Sequence, residues 1–392
     1  MLSSRRAFLR STVLFGCTAL AAACAPAAAP APPTTAPAAA PTSPPPAAPT
    51  SPPAATAKPA APTAAPAAPT VAPATAVPKP TAAPAATTKP VAVKAAWVAK
   101  TANQMIWPLA KDAGYFDKYG VSFELNYLNG SATGIAALVA KDLDVASVAG
   151  SAIVGAQAAG QDIIMVAGFL NQAVFRIMAT DLQSIDEVKG KTVAVTRVGQ
   201  ADYYAWQTVI ERQKWSQDDV TFVNSNDVMG QVALLQQGAV QAIAVSPPND
   251  VLAKKIGAHM ILDTATLNEP EQNVGFGVTR AYLTDHRPVV TNIVKASIEA
   301  MARWKKDAEF TKGVIKKYLE SNDPEFDNVG YEAYAPVWPQ APYPSREGMA
   351  KVILEVASQN PKAKDLNVDK LMDLSVVKEL EDSGFIKQIY AS

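Results

Sequence analysis

The chain has 392 residues, 49% of them hydrophobic, and its 35 basic and 35 acidic residues balance to a net charge of zero. No basic stripe is present for a nucleic-acid backbone, and two cysteines with two histidines are too few for a disulfide framework or a thiolate–imidazole metal cluster. The length exceeds what one ordinary core uses, so more than one folding unit is expected.

Residues 1–24 read as an export signal, because Arg5, Arg6 and Arg10 precede an apolar run, Ser11 to Ala23, that is too short to span a bilayer. The segment Ser4-Arg5-Arg6-Ala7-Phe8-Leu9-Arg10 resembles the twin-arginine address of proteins exported after folding, with a general secretory signal as the alternative. The run closes on Leu20-Ala21-Ala22-Ala23-Cys24, which resembles a bacterial lipobox in which Cys24 becomes the diacylated N-terminus; Ala21 stands where leucine is usual, and plain peptidase cleavage is the alternative. Cys17 falls inside the signal. Cys24 is then the single thiol of the mature chain, an attachment point for acyl chains that would fix it to a membrane. From 25 to 90 the composition collapses to Ala, Pro and Thr without one acidic or aromatic residue, which cannot bury a core and favours an extended tether. At ~3.1 Å per residue it reaches on the order of 200 Å when fully drawn out.

The folded part is expected from Val91 onward. Six basic residues (Arg5, Arg6, Arg10, Lys58, Lys79 and Lys89) precede it and all 35 acidic ones lie within it, so it holds 29 basic against 35 acidic residues, a net −6. Its elements alternate. Val93 to Ala99 reads as a strand, Asn103 to Lys118 as a helix with Ile106, Leu109, Ala110, Ala113 and Phe116 on one face, and Val121, Phe123, Leu125 and Tyr127 as an alternating strand. Asn129-Gly130-Ser131 turns into a helix from Ala132 to Lys141. Val145 to Ala149 is a buried strand, Gly150-Ser151 opens a helix, and Ile163 to Phe169 is another strand. This βαβ order predicts an α/β lobe over 91–172.

The scheme restarts after a crossing segment around Ala173 to Ala179. Gly190-Lys191 turns, Thr192 to Thr196 is an uncharged strand, and Val198-Gly199-Gln200 opens a helix through Tyr203, Tyr204, Trp206 and Ile210. Such a start presents unpaired backbone N–H groups and the positive end of a helix dipole, which suits a small anion or polar ligand; an ordinary βα turn is the alternative. The run from Ala137 to Ser151 parallels Ala233 to Pro248, each a helix, a turn, a small-residue strand and a polar helix start. Two similar lobes therefore follow, the second with its crossing over 173–279. A second crossing, Asn273 to Thr279, precedes helices Pro288 to Lys306 and Phe310 to Leu319. The rest of 280–392 reads as helices packed outside the lobes.

Asn103 to Val121 resembles the first helix and turn of the nitrate/sulfonate/taurine-type solute-binding proteins, which are grouped with thiamine-pyrimidine-precursor binding proteins. Ala136 to Ser151 and Val188 to Val195 are similar to that family's later helix–turn–strand units, so the likeness covers about 95 to 280 in order. The resemblance implies a type II periplasmic-binding fold, two α/β lobes with mixed sheets on a two-strand hinge, that passes a small solute to the permease and ATPase of an ABC importer. It also implies a cleft at the carboxyl ends of the strands, where open α/β sheets bind ligands on topological grounds as well. In lobe 1 this points to Asn103, Gln104 and Trp107, to Asn129, Gly130 and Ser131, and to Gly150 and Ser151. In lobe 2 it points to Arg197, Gly199 and Gln200, to Ala201 and Asp202, and to Asn226, Ser246 and Asn249. Arg197 or Arg176 would offer a forked donor to a sulfonate or carboxylate, and Trp107, Tyr203 or Tyr204 a stacking face for a heterocycle. Phe175 and Phe276 mark the expected hinges. A monomer without cofactor, metal or catalytic residues is expected. Enzymes of the same fold are the rival, and a sensing subunit would look identical in sequence. His259 and His286 read as surface or core residues, and no Gly-x-Ser-x-Gly elbow or phosphate-loop lysine occurs.

Overall fold

The computed structural model describes residues 89–391; the export signal, Cys24 and nearly all of the tether lie outside the described residues. The first lobe is built in the order β1 (Val91–Trp97), α1 (Ile106–Asp112), α2 (Tyr115–Lys118), β2 (Val121–Tyr127), α3 (Ser131–Ala140), β3 (Val145–Val148), α4 (Gly150–Ala158) and β4 (Ile163–Gln172). The second follows with β5 (Arg176–Ala179), β6 (Lys191–Val195), α5 (Ala201–Arg212), β7 (Val220–Asn224), α6 (Val228–Gln236), β8 (Ala242–Val245), α7 (Asp250–Lys255) and β9 (His259–Asp263). The chain then returns through β10 (Pro270–Thr279) into α8 (Arg280–Asp285), α9 (Arg287–Lys306), α10 (Ala308–Leu319), α11 (Pro324–Tyr334), α12 (Arg346–Gln359), α13 (Ser375–Asp382) and α14 (Phe385–Ala391).

Each lobe carries one five-stranded sheet, ordered β2-β1-β3-β10-β4 and β7-β6-β8-β5-β9. The two orders superimpose position by position. In each, the strand that has just crossed from the other lobe is the antiparallel one: β10 runs against β3 and β4, and β5 against β8 and β9. The α3–β3–α4 and α6–β8–α7 units are the two copies of the repeated helix–turn–strand pattern. Helices cover both faces of the first sheet, which is why β3, β4 and β10 are buried almost along their whole length.

Two expectations are corrected. The long helix expected over Asn103–Lys118 is broken, because Gly114 takes a left-handed φ of 70° that ends α1 and starts α2. Phe276 is no hinge: it sits fully buried in the middle of β10, opposite Ser147 and Ala167. The return crossing comes earlier, between Asp263 of β9 and Pro270 of β10, so β10 belongs to the first sheet.

Next to that return crossing lies a buried acidic pair. Glu271 Oε1 accepts a bond from Asn273 Nδ2 at 3.0 Å, while its Oε2 and both carboxyl oxygens of Glu355 on α12 are buried without a hydrogen-bond partner. Lys351, also on α12, lies 3.4 Å from Glu269 Oε2 and 3.8 Å from Glu355 Oε1, and donates to Thr208 Oγ1 of α5 at 3.1 Å. Burial first, and then the charge of Glu271, push the Glu355 carboxyl up to about 9; burial raises Glu271 as well. A carboxyl whose folded pKa is raised keeps its proton in the fold while the unfolded chain gives it up, so stability falls as pH rises from the ordinary carboxylate range to about 9. Glu355→Gln, which keeps the shape and removes the charge, should flatten that decline by up to about 1.4 kcal/mol per pH unit in urea unfolding between about pH 5 and about pH 9. Equal slopes for the two chains would refute it.

Candidate functional site

The loops at the carboxyl ends of β1, β2 and β3 face those of β6, β7 and β8 across a cleft of ≈ 620 Å³. The lobes touch at its floor, where Ala102 N donates to Pro247 O at 3.3 Å and Asn249 Nδ2 donates to Lys100 O at 3.3 Å.

The lobe 1 wall starts from the turn after β1. Thr101, Asn103 and Gln104 are buried there yet line the cleft, with Asn103 Nδ2 bonded to Asn273 Oδ1 at 3.4 Å. Gln104 Oε1 has no partner. Asn129, Gly130 and Ser131 follow at the start of α3, whose N-cap position is Gly130 and therefore has no capping side chain. Ser131 Oγ is already engaged by Ala149 N at 3.1 Å, which leaves the first-turn backbone amides of α3 as the donors that face the gap.

On the lobe 2 wall, α5 likewise begins without a side-chain cap on its N-cap residue Gln200, and Gln200, Ala201 and Asp202 line the cleft. Asp202 holds this loop in place. Its carboxylate accepts from Thr196 N at 2.5 Å, Thr196 Oγ1 at 2.9 Å, Tyr203 N at 3.1 Å and Gln231 Nε2 at 2.9 Å. Burial pushes its pKa up to about 6, and the bonds from Thr196 and Tyr203 oppose that rise. Gln231 is fully buried beside it with Oε1 unpartnered. Asn226, Ser246 and Asn249 complete the polar lining. Arg197 lines the mouth, is exposed, and forms no ion pair among the described residues.

Four of the sixteen sequence-derived candidates do not reach the cleft lining. Trp107 is a core residue, fully buried with its ring centroid 5.2 Å from Phe276, 5.3 Å from Phe123 and 6.0 Å from Phe169, and with Nε1 donating to Ser297 Oγ at 3.1 Å. Gly150 abuts β10: a Cβ built there would sit 2.5 Å from Gln272 O, so the glycine answers strand packing. Ser151 is buried behind it in α4, and Gly199 supplies the left-handed φ of 86° that turns the chain into α5. Tyr203 and Tyr204 are also buried away from the lining, the first accepting from Gln359 Nε2 at 2.9 Å. Arg176 is committed to Asp250 Oδ2 at 2.5 Å.

The aromatic lining comes instead from Tyr127, Phe175 and Phe326. Tyr127 is the last residue of the edge strand β2, paired with Trp97 at the end of β1, and is 39% exposed with its ring centroid 4.7 Å from that of Trp97. Strand alternation hid it, because the pattern assigns it to the core face. Phe326 and Leu319 come from the helices expected outside the lobes, and no local signal marks them. Among the described residues, neither His259 nor His286 lines the cleft.

Replacing Asp202 with alanine should strip four bonds from the β6–α5 loop and leave buried donors unpaired. A loss of about 2–4 kcal/mol in chemical denaturation is expected, and a loss below about 0.5 kcal/mol would show that the loop holds itself.

The family model described as NMT1/THI5 like matches residues 101–309. No curated protein matches the sequence. Among solved structures, the periplasmic aliphatic sulphonate binding protein SsuA from Escherichia coli is 18% identical with a TM-score of 0.60, covering 72% of this chain and 97% of its own. The periplasmic nitrate-binding protein NrtA from Synechocystis PCC 6803 is 16% identical with a TM-score of 0.59, covering 75% of this chain and 89% of its own. A desulfurization enzyme, DSZB, is 12% identical with a TM-score of 0.57, covering 75% and 99%. The shared feature is the fold, two mixed-sheet lobes of the type II periplasmic-binding kind.

Proposed function

The chain belongs to the NMT1/THI5-like family, and on that premise we propose that it is the extracytoplasmic solute-binding component of an ABC importer. It captures a small polar or anionic organic solute by closing two lobes, and hands it to a permease driven by an ATPase. One observation carries this: α3 of one lobe and α5 of the other both begin, without a capping side chain at the N-cap, on the same cleft of ≈ 620 Å³. The uncapped start of α3 offers donors and a positive dipole end to an acceptor group, while at α5 the Asp202 carboxylate already takes the Tyr203 amide, and the cleft volume falls in the range of small-molecule sites. Arg197 adds an unpaired guanidinium at the mouth. Sulfonates and nitrate-like anions are the first solute classes to test, in keeping with the sulphonate- and nitrate-binding proteins that share the fold, and pyrimidines are the third.

The amino-terminal sequence supports the same role. A twin-arginine-type signal would export the chain, acylation of Cys24 would hold it as a monomer at the outer face of the cytoplasmic membrane, and the tether would let it move between solvent and permease. Among the described residues no helix is long and apolar enough to cross a membrane. Catalysis is the second reading because DSZB shares the fold. Binding is preferred because the sulphonate- and nitrate-binding structures share the fold at higher TM-scores.

Thermal unfolding in the presence of ethanesulfonate, nitrate and 4-aminopyrimidine tests the proposal. A binding class should raise stability by about 2.7 kcal/mol at a hundredfold excess over its dissociation constant. For an anion, Arg197→Ala should weaken binding roughly tenfold or more, the size of a lost bond to a charged group. A flat response to every solute class, or conversion of any of them to product, would overturn it.

A further inference from the structure

We propose that α11 is the seat on which the second lobe closes, a helix from outside both sheets whose one face sets how closely the lobes approach and also supplies part of the cleft wall. Phe326, Gly330 and Tyr334 are spaced at i, i+4 and i+8 and so share one side of this helix. All three are buried, and they meet different partners. Phe326 lines the cleft. A Cβ built on Gly330 would lie 3.3 Å from Ala102 Cβ, 3.3 Å from Ile315 Cδ1 and 3.3 Å from Pro248 Cγ, which places the helix backbone directly between a lobe 1 residue and a lobe 2 residue. The Tyr334 hydroxyl lies 3.5 Å from Pro247 O, the same carbonyl that accepts from Ala102 N at 3.3 Å. Lobe 1, lobe 2 and α11 therefore converge on one point, the Pro247-Pro248 backbone.

The two ends of the α10–α11 corner are tied to different lobes. Lys317 Nζ is 2.8 Å from Asp112 Oδ2 of α1, and Tyr318 Oη donates to Asp112 Oδ1 at 2.9 Å, so α10 is fixed to lobe 1. At the start of α11, Asp323 pairs with Lys255, and Glu325 lies 4.0 Å from Lys254, both lysines on α7 of lobe 2. Exposed ion pairs of this kind contribute little on their own, so the packing at Gly330 is what fixes the separation. A methyl at 330 would meet Ala102, Pro248 and Ile315 more tightly than ordinary van der Waals contact, and a longer side chain there must shift Ile315, push Pro248 away from Ala102 or displace the helix. Opening the cleft must part Pro247 and Pro248 from Ala102 and from α11 in the same step.

The consequence for solute capture rests on the importer reading: a spacer at 330 would deplete the closed form and raise the apparent dissociation constant in proportion. The geometric claim stands without it. The test uses the full chain with Cys17→Ser and Cys24→Ser, spin-labelled through Ser122→Cys in lobe 1 and Gln237→Cys in lobe 2, both exposed positions. Electron–electron distance measurements should show a longer mean separation in Gly330→Leu than in the parent, and a smaller shift in the same direction in Gly330→Ala, which decides the matter if the leucine variant does not fold. A folded variant with the parent's distance distribution overturns the seat. Thermal shifts with ethanesulfonate, nitrate and 4-aminopyrimidine on the labelled parent are read separately; their absence would end the importer reading while the distances still judge the seat.

Discussion

Twice the chain leaves one sheet and enters the other as an antiparallel strand one place in from the edge, and the rest of the molecule follows from that exchange. β5 and β10 each close a ladder that would otherwise stop short, so neither lobe completes its sheet without backbone that has just come from the other. The two lobes are thereby held with corresponding strand ends toward each other. Carboxyl ends of β1, β2 and β3 meet those of β6, β7 and β8, and the helix starts that follow those strands converge on the gap.

The polar groups in and around that gap divide into two kinds. Asp202 and Asn249 are spent on the protein: the first gathers Thr196, Tyr203 and Gln231 into a rigid loop, the second reaches across to Lys100 O. Gln104 Oε1 and Gln231 Oε1 are buried at the lining with nothing bound to them. The first-turn amides of α3 and the polar side chains of Asn129, Asn226 and Ser246 line the gap, in keeping with the proposed capture of a polar solute.

Much of the fold could be read in the sequence because the signals were local. The repeat of Ala137 to Ser151 in Ala233 to Pro248 is a helix-to-strand pattern that any two copies of one unit must show, and the glycine loop before Ala201 announces a helix start. The failures share a cause, which is that burial depends on partners distant in the chain. Trp107 sits on a helix whose neighbours Phe169 and Phe276 come from strands far along the sequence, so its spacing could not separate core from cleft. Gly150 and Gly199 read as ligand positions from their loops alone, yet one makes room for β10 and the other turns the backbone into α5. Conversely, Tyr127 and Phe326 reach the cleft through the exposed end of an edge strand and a returning helix, geometry that no periodicity encodes.

The central claim is that a single guest is held by both lobes at once, through the starts of α3 and α5. A crystal structure of the chain grown with a solute that stabilises it tests this most directly. The account predicts density for that solute between the two lobes, with an acceptor group within hydrogen-bond reach of the backbone amides at Ser131–Ala132 and at Ala201–Asp202. A solute bound to one lobe alone, or outside the cleft altogether, would contradict it.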